Sequence, residues 1–124
     1  MKKYLWNTKT NARHSVRVIC DEEGMTLKQK NEITETINCE SGFNPCIIND
    51  KNLDKTSDFG ISQFNNGKNP KTGKPYWIGK GADFKDSNEC LQNPAKCVKI
   101  MCREWKLGHQ NYWNCYKKLY GNKK

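Results

Sequence analysis

The 124-residue sequence lacks a long apolar run, and no stretch approaches the ~20 residues that a membrane-spanning helix requires. We therefore expect no membrane span. The amino-terminal segment 1–8 begins with a basic pair but does not continue into the apolar run of roughly 7 to 15 residues found in a secretory signal. Two routes stay open: export with a signal that has been removed, and release of a cytoplasmic protein by other means.

Histidine is scarce, and cysteine is not arranged for metal binding. The chain has only His14 and His109, and none of its seven cysteines forms a C-x-x-C pair. We expect no metal and no other cofactor. An odd number of cysteines leaves at least one thiol unpaired within a monomer, and the pairing of the others stays open. Cys20, Cys97 and Cys102 fall on apolar faces of predicted helices, where cysteine packs as a small hydrophobic residue.

Acidic residues are fewer than basic residues. Lys and Arg number 22 against 13 Asp and Glu, which gives a net charge of +9. Such an excess attracts polyanions, namely nucleic acids, anionic membranes or anionic cell-wall polymers. The lysines are spread thinly, in segments such as KNPKTGK and the terminal Asn122-Lys123-Lys124. Because no dense basic block of the kind used by nucleic-acid-binding arms is present, we predict no nucleic-acid partner.

Two helices are predicted in the first third of the chain. Ser15 is placed to cap a short helix over residues 16–23, which Gly24 ends. Thr26 and Gln29 have the T-x-x-Q form of a capping box, and apolar residues four apart follow. The second helix is expected to run to about Glu40.

Two further helices are predicted in the last third. Asn93 followed by Pro94 is a typical helix start, and apolar residues at helical spacing continue to Gly108. A last helix is expected from about Gln110, with Trp113 and Tyr116 on one face.

The segment between the helix pairs is rich in turn residues. Residues 47–66 contain the only β candidates, two short stretches that are expected to pair as a small irregular hairpin. Residues 67–82 carry closely spaced glycines and prolines and are predicted to form a long loop. The predicted fold class is α+β, mostly α. We divide the chain into a polar basic lead (1–13), one domain (14–120) and a basic tail (121–124), and expect a monomer.

Two acidic residues stand in unlike settings. Glu40 falls at the predicted carboxyl end of the second helix, where the helix dipole disfavours an anion by up to about 1 kcal/mol. That field, and burial against an aromatic ring, would raise the pKa of its carboxyl and suit it to general acid catalysis. Asp58 follows in a polar, turn-rich segment. One carboxylic acid and one carboxylate form the working pair for cleaving a glycosidic bond.

The residues around both acids resemble a known signature. Residues 40–45, ESGFNP, and 57–65, SDFGISQFN, resemble the E-S-G-x-N-P and S-x-D-x-G-L-x-Q-x-N motifs of the lysozyme and lytic transglycosylase superfamily. The resemblance extends from about Ser15 to Tyr116. It is strongest to bacterial and phage soluble lytic transglycosylase-like (SLT-type) domains that keep the aspartate of animal lysozymes. It implies a lysozyme-like catalytic domain in which the hairpin flanks a cleft.

The resemblance also implies an activity and a place of action. Glu40 would protonate the glycosidic oxygen between N-acetylmuramic acid and N-acetylglucosamine in peptidoglycan glycan strands. Asp58 would stabilise or trap the oxocarbenium-like centre in a retaining hydrolase. In a lytic transglycosylase, Glu40 would act alone as acid and then base. A peptidoglycan substrate implies an extracellular, periplasmic or phage-released protein, and the net positive charge suits an anionic wall.

Seven further residues are predicted to bind saccharide. The resemblance places the amides of Gln63 and Asn65 in the cleft, where an amide can both donate to and accept from N-acetyl groups. It also places Ser57 beside the aspartate and Trp113 against the acid. An aromatic pair in the long loop is suited to stacking on sugar rings. These residues are Ser57, Gln63, Asn65, Tyr76, Trp77, Trp113 and Tyr116.

The same residues raise three alternative functions. Cys39 precedes Glu40 and raises a thiol-nucleophile hypothesis, which is disfavoured because no histidine is near in sequence and a helix carboxyl end raises a thiol pKa. A non-catalytic wall-binding protein on the same fold would be indicated by loss of Glu40, which is present. A basic nucleic-acid-binding domain is the third alternative.

Overall fold

The computed structural model describes residues 4–121, so the predicted basic pair of the lead and residues 122–124 of the tail lie outside the described residues. Within this range the chain forms five α-helices and a small three-stranded antiparallel sheet, which confirms the predicted α+β, mostly α class. In chain order the elements are α1 (Lys9–Glu22), α2 (Leu27–Ser41), β1 (Ile48–Asn49), β2 (Asp58–Phe59), β3 (Phe64–Asn65), α3 (Ser87–Gln92), α4 (Pro94–Lys106) and α5 (Asn114–Tyr116).

The first helix begins earlier than predicted. Thr8 is its N-cap, and the threonine hydroxyl accepts the N–H of Asn11 at 3.0 Å. Ser15, predicted as the cap, is buried within α1 and donates its hydroxyl to the carbonyl of Leu5 at 2.7 Å. The predicted start was wrong because the polar residues before Ser15 form the solvent-facing side of an amphipathic helix. The proposed boundary between residues 13 and 14 lies inside α1.

The second helix confirms the capping-box prediction. The hydroxyl of Thr26 accepts the N–H of Gln29 at 3.1 Å, and the side chain of Gln29 accepts the N–H of Thr26 at 2.9 Å. The helix ends at Gly42, whose φ of 60° lies in the left-handed region that favours glycine. Glu40 therefore occupies the last turn of α2, as predicted.

The small sheet aligns three polar side chains. The predicted hairpin is present, and a third short strand extends it. In the register, Asn49 of β1 lies opposite Asp58 of β2, and Asp58 lies opposite Asn65 of β3. Residues directly opposite each other in an antiparallel pair share one face. The sheet therefore holds two amides on either side of one carboxylate.

The late helices agree only in part with the sequence prediction. Helix α4 begins at Pro94 as predicted, and the short helix α3 before it, capped by Asp86, was not predicted. The expected continuous last helix is wrong. It is replaced by a 3₁₀ turn (Gln110–Tyr112), an extended Trp113, the three-residue α5 and a π-helical turn (Lys117–Gly121). Two long-range bonds explain the break, one from the indole of Trp113 and one from Cys115.

The core lies mainly between α1, α2 and α4 and extends under the long loop. Cys20, Cys97 and Cys102 are buried in it as predicted, and the Sγ atoms of Cys20 and Cys102 are 3.9 Å apart. Residues 67–82 form the predicted long loop, which two isolated bridges brace. Within the described range, no helix combines the length and apolar character needed to cross a bilayer.

Candidate active site

Glu40 lies half-buried at the end of α2 and faces a cleft of about 510 Å³ between the sheet and the carboxyl-terminal segment. Its Oε2 atom accepts the backbone N–H of Cys115 at 3.1 Å. Burial raises the pKa of the Glu40 carboxyl above its ordinary value; the N–H of Cys115 opposes this rise and the negative charge of Asp58 adds to it. The side chain therefore keeps its proton to a higher pH than an exposed glutamate does, a property that suits general acid catalysis.

A disulfide fixes the backbone on both sides of this contact. Cys39, the residue before Glu40, is bonded to Cys115, whose N–H reaches the Glu40 carboxylate. A sulfur held in a disulfide is not a thiolate, so the structure excludes the nucleophile hypothesis for Cys39. The bond instead joins α2 to the carboxyl-terminal segment beside the candidate acid.

The serine of the first motif also ties Glu40 to the sheet. Ser41 is buried, and its hydroxyl donates to the carbonyl of Ile61 at 2.7 Å, in the turn that joins β2 to β3. In the same turn, Gly60 has a φ of +81°, and a Cβ there would lie 3.4 Å from the Sγ of Cys90. Glycine is thus favoured by the backbone conformation, whereas the 3.4 Å distance is an ordinary van der Waals contact.

Asp58 faces the same cleft from β2 and is held by three amides. Its Oδ1 accepts from Asn65 at 2.9 Å, and its Oδ2 accepts from Asn52 at 3.1 Å and from Asn49 at 3.5 Å. A carboxylate only accepts hydrogen bonds, so these donors suit its chemistry and fix its orientation. Glu40, with one backbone donor, and Asp58, with three side-chain donors, thus have unlike hydrogen-bond partners, and their roles as acid and carboxylate stay a prediction.

The two cleft amides named from the sequence are engaged with protein groups. The Gln63 amide donates to the carbonyls of Gly60 at 2.9 Å and Ile47 at 3.3 Å. The Asn65 amide donates to Thr56 and Asp58, and its carbonyl accepts the N–H of Gly67 at 2.7 Å. In this arrangement both side chains brace the sheet. Their saccharide contacts stay a prediction.

Aromatic rings form one wall of the cleft. Trp113 is buried, and its indole N–H donates to the carbonyl of Ser62 at 2.8 Å. Its ring lies 6.1 Å from that of Trp77 and 5.9 Å from that of Phe64, measured between centroids. Tyr112 lies at the open end, 6.0 Å from Trp77 and largely exposed. Because Trp113 and Phe64 are buried behind this wall, Trp77 and Tyr112 are the rings that can present a face to a sugar.

Six of the nine predicted site residues line this cleft, and three do not. Ser57 lies beside it, and its N–H donates to the side chain of Asn66 at 2.9 Å. Tyr76 is 52% exposed and borders a neighbouring groove that shares Trp77 with the cleft. Tyr116 packs edge-on against Trp105 at 5.4 Å. The lining residues are Glu40, Asn52, Leu53, Asp54, Thr56, Asp58, Gln63, Phe64, Asn65, Trp77, Tyr112, Trp113 and Asn114.

Three residues at or beside the cleft are not predicted from the sequence, because amides and acids in such a segment are typical of turns. Asn49 and Asn52 hold Asp58, and Asp54 adds a third carboxylate at the rim. Hydrogen bonds from the hydroxyl and N–H of Thr56 lower the pKa of Asp54. The signal that could have found them is the crowding of amides and acids just before the second motif. Among the described residues, no three His, Cys, Asp or Glu side chains cluster as metal ligands.

The fold is shared with solved structures. The chain is similar to a lysozyme from Litopenaeus vannamei, with a TM-score of 0.59 and 17% identity over 98% of this chain and 91% of that chain. The chain therefore has a lysozyme-like fold. No family model and no curated protein sequence matches it.

Proposed function

We propose that this protein cleaves the β-1,4 bond between N-acetylmuramic acid and N-acetylglucosamine in peptidoglycan, with Glu40 as the general acid. One observation carries the proposal: a half-buried carboxyl with a raised pKa and a carboxylate held by amides face one open cleft. Glycoside cleavage uses such a pair. The lysozyme-like fold supports it, since the solved neighbour is a lysozyme.

In the proposed first step, the protonated Glu40 gives its proton to the glycosidic oxygen as the bond from that oxygen to the anomeric carbon breaks. Positive charge then develops at the ring. The Asp58 carboxylate, fixed by Asn52 and Asn65, lies in the same cleft to stabilise that charge or to bond to the anomeric carbon. Trp77 and Tyr112, on the aromatic wall of the cleft, are placed to cover one side of the sugar and to keep water from it.

In the second step, Glu40, now a carboxylate, removes a proton from an incoming hydroxyl, which attacks the anomeric carbon. Where Asp58 has bonded to that carbon, the attack breaks this bond and releases the Asp58 carboxylate. With water as the attacking group, the product has a reducing end and the enzyme is a muramidase. With the muramoyl 6-hydroxyl, the product is a 1,6-anhydro sugar and the enzyme is a lytic transglycosylase. We favour hydrolysis, because three amides fix Asp58 in the cleft and the transglycosylase route requires only Glu40.

The test is digestion of purified peptidoglycan by wild type, Glu40→Gln and Glu35→Gln. Glu35 lies on the same helix and is exposed, so its substitution controls for the loss of one negative charge from α2. Glu40→Gln keeps the side chain's shape but cannot donate the proton. We expect wild type and Glu35→Gln to release soluble muropeptides and Glu40→Gln to release none.

Mass spectrometry of the products separates the two chemistries. Products with reducing ends would establish a muramidase, and products lighter by one water would establish a lytic transglycosylase. Undiminished cleavage by Glu40→Gln would overturn the assignment of the acid. Absence of any product from folded wild type on walls of several compositions would overturn the enzymatic proposal and leave a wall-binding protein as the better interpretation.

A further inference from the structure

A cationic groove lies on the outer side of α1, apart from the candidate active site. Lys9, Arg13 and Arg17 follow one another at intervals of four residues, so they form one stripe along the helix at about 6 Å per step. Lys30 of α2 joins them across a groove of about 570 Å³. The groove residues are Lys9, Thr10, Arg13, His14, Arg17, Val18, Asp21 and Lys30, and none of them lines the cleft that holds Glu40.

Most of the charge in this groove is uncompensated. Its single acid, Asp21, pairs with Lys30 at 2.8 Å. Arg17 donates to the neutral hydroxyl of Thr34 at 3.1 Å and keeps its charge. Lys9 and Arg13 are exposed and form no ion pair with any residue in the range 4–121. Lys9 and Arg13 therefore face solvent, and the half-buried Arg17 adds a third cation; none of the three is ion-paired with a described carboxylate.

The other basic helix face differs in this respect. Helix α4 also carries four cations beside a groove. Two of them are held in ion pairs, Lys96 with Glu89 at 3.1 Å and Arg103 with Asp83 at 3.0 Å. The stripe on α1 is thus the stronger anion-binding surface of the two, because each ion pair removes one cation from the attraction of an external anion.

We propose that the groove on α1 binds the phosphodiester backbone of an anionic cell-wall polymer and so retains the protein on walls that carry such polymers. This ligand rests on the proposed function, since it is the anion that accompanies peptidoglycan. One cation per helical turn can meet successive charges of a flexible chain. The groove has no Phe, Tyr or Trp among its lining residues, so it lacks the stacking platforms with which proteins hold single-stranded nucleic acid.

The test compares two variants that remove the same charge from different helices. Lys9→Gln/Arg13→Gln neutralises the groove on α1, and Lys99→Gln/Lys106→Gln removes two exposed, unpaired cations from α4. Both are made in the Glu40→Gln background, so that binding is measured without cleavage. Each protein is incubated with walls that retain their phosphodiester polymer and with walls from which acid treatment has removed it, over a series of NaCl concentrations.

We expect the groove variant to dissociate from polymer-bearing walls at a NaCl concentration several-fold lower than the Glu40→Gln parent does. The α4 variant should dissociate at nearly the same concentration as the parent. On stripped walls the three proteins should behave alike. Equal loss in both variants, or equal retention on both kinds of wall, would overturn the proposal in favour of net charge alone. Tighter binding to DNA or RNA than to the polymer at equal phosphate concentration would overturn it in favour of a nucleic-acid surface.

The outcome for the groove is separable from that for the enzyme. Polymer-dependent retention of the Glu40→Gln protein supports the groove even if wild type releases no muropeptide. Conversely, if the groove only localises the protein, Lys9→Gln/Arg13→Gln made with Glu40 intact should cleave stripped walls at the wild-type rate. A slower rate on stripped walls would show that the substitutions act on the cleft and would contradict a separate binding site.

Discussion

Removing the disulfide beside the candidate acid, as Cys39→Ser/Cys115→Ser, is expected to reduce both stability and cleavage. The bond closes a loop across a sequence separation of 76 residues. For a loop of that length, the lost restriction of the unfolded chain corresponds to about 4.5 kcal/mol at 25 °C. Because whole domains are stable by about 5–15 kcal/mol, this loss is a large share of the total.

Urea unfolding followed by tryptophan fluorescence measures the change. With a slope of about 1–3 kcal/mol/M for small proteins, the midpoint should fall by roughly 1.5–4.5 M. Cleavage should also fall below wild type in buffer where the variant remains folded, because the N–H that contacts Glu40 belongs to Cys115. Cys46→Ser is the matched control, since Cys46 is exposed and unpaired, and its midpoint should barely move.

The reasoning is refuted if the double variant loses less than about 1 kcal/mol, a value expected of ordinary substitutions. It is equally refuted if the variant is destabilised as expected but cleaves peptidoglycan at the full wild-type rate, since the bond would then have no part in positioning Glu40. Should the double variant fail to fold, wild type unfolded with and without a thiol reductant gives the same comparison.

Three further outcomes are expected. Burial raises the pKa of Glu40, so the folded state holds that proton more tightly than the unfolded state does, and this stabilisation is lost as pH rises through the raised pKa. Glu40→Gln should therefore be more stable than wild type at neutral pH and equally stable in acid. Thermal unfolding at several pH values measures the difference. Asn52→Ala removes a donor to Asp58 and should slow cleavage about 10- to 100-fold with little change in melting temperature. Cleavage by Asn52→Ala at the wild-type rate would show that this hydrogen bond has no part in the reaction. Trp113→Phe strands the buried carbonyl of Ser62 and should cost about 1–3 kcal/mol in urea unfolding, and an unchanged midpoint would contradict that role.

The parts of the fold that local chemistry determines were predictable from the sequence. The capping box at Thr26 and the start of α4 at Pro94 each depend on residues within one helical turn, and both were found where predicted. Glu40 and Asp58 were found through motifs that a short segment contains. The structure places both in one cleft, and their catalytic roles stay a prediction.

The parts that long-range bonds determine were not predictable. The carboxyl-terminal segment has helical spacing, yet the bond from Trp113 to Ser62 spans 51 residues and holds the backbone extended. In the same way, the amides that hold Asp58 resembled ordinary turn formers until the strand register placed Asn49 opposite it. A local pattern cannot report a partner that is distant in sequence.

The arrangement of these long-range bonds bears on how the cleft works. Three connections join the elements that carry the two acids: the Cys39–Cys115 disulfide, the hydroxyl of Ser41 on the carbonyl of Ile61 at 2.7 Å, and the indole of Trp113 on a carbonyl of the same turn at 2.8 Å. Each of the three elements, namely the end of α2, the turn between β2 and β3 and the carboxyl-terminal segment, is thus bonded to the other two. The proposed catalysis by two carboxyl groups depends on their fixed separation and orientation. The sheet has strands of only two residues and could not hold such a geometry alone, so these three bonds provide the rigidity that the sheet lacks.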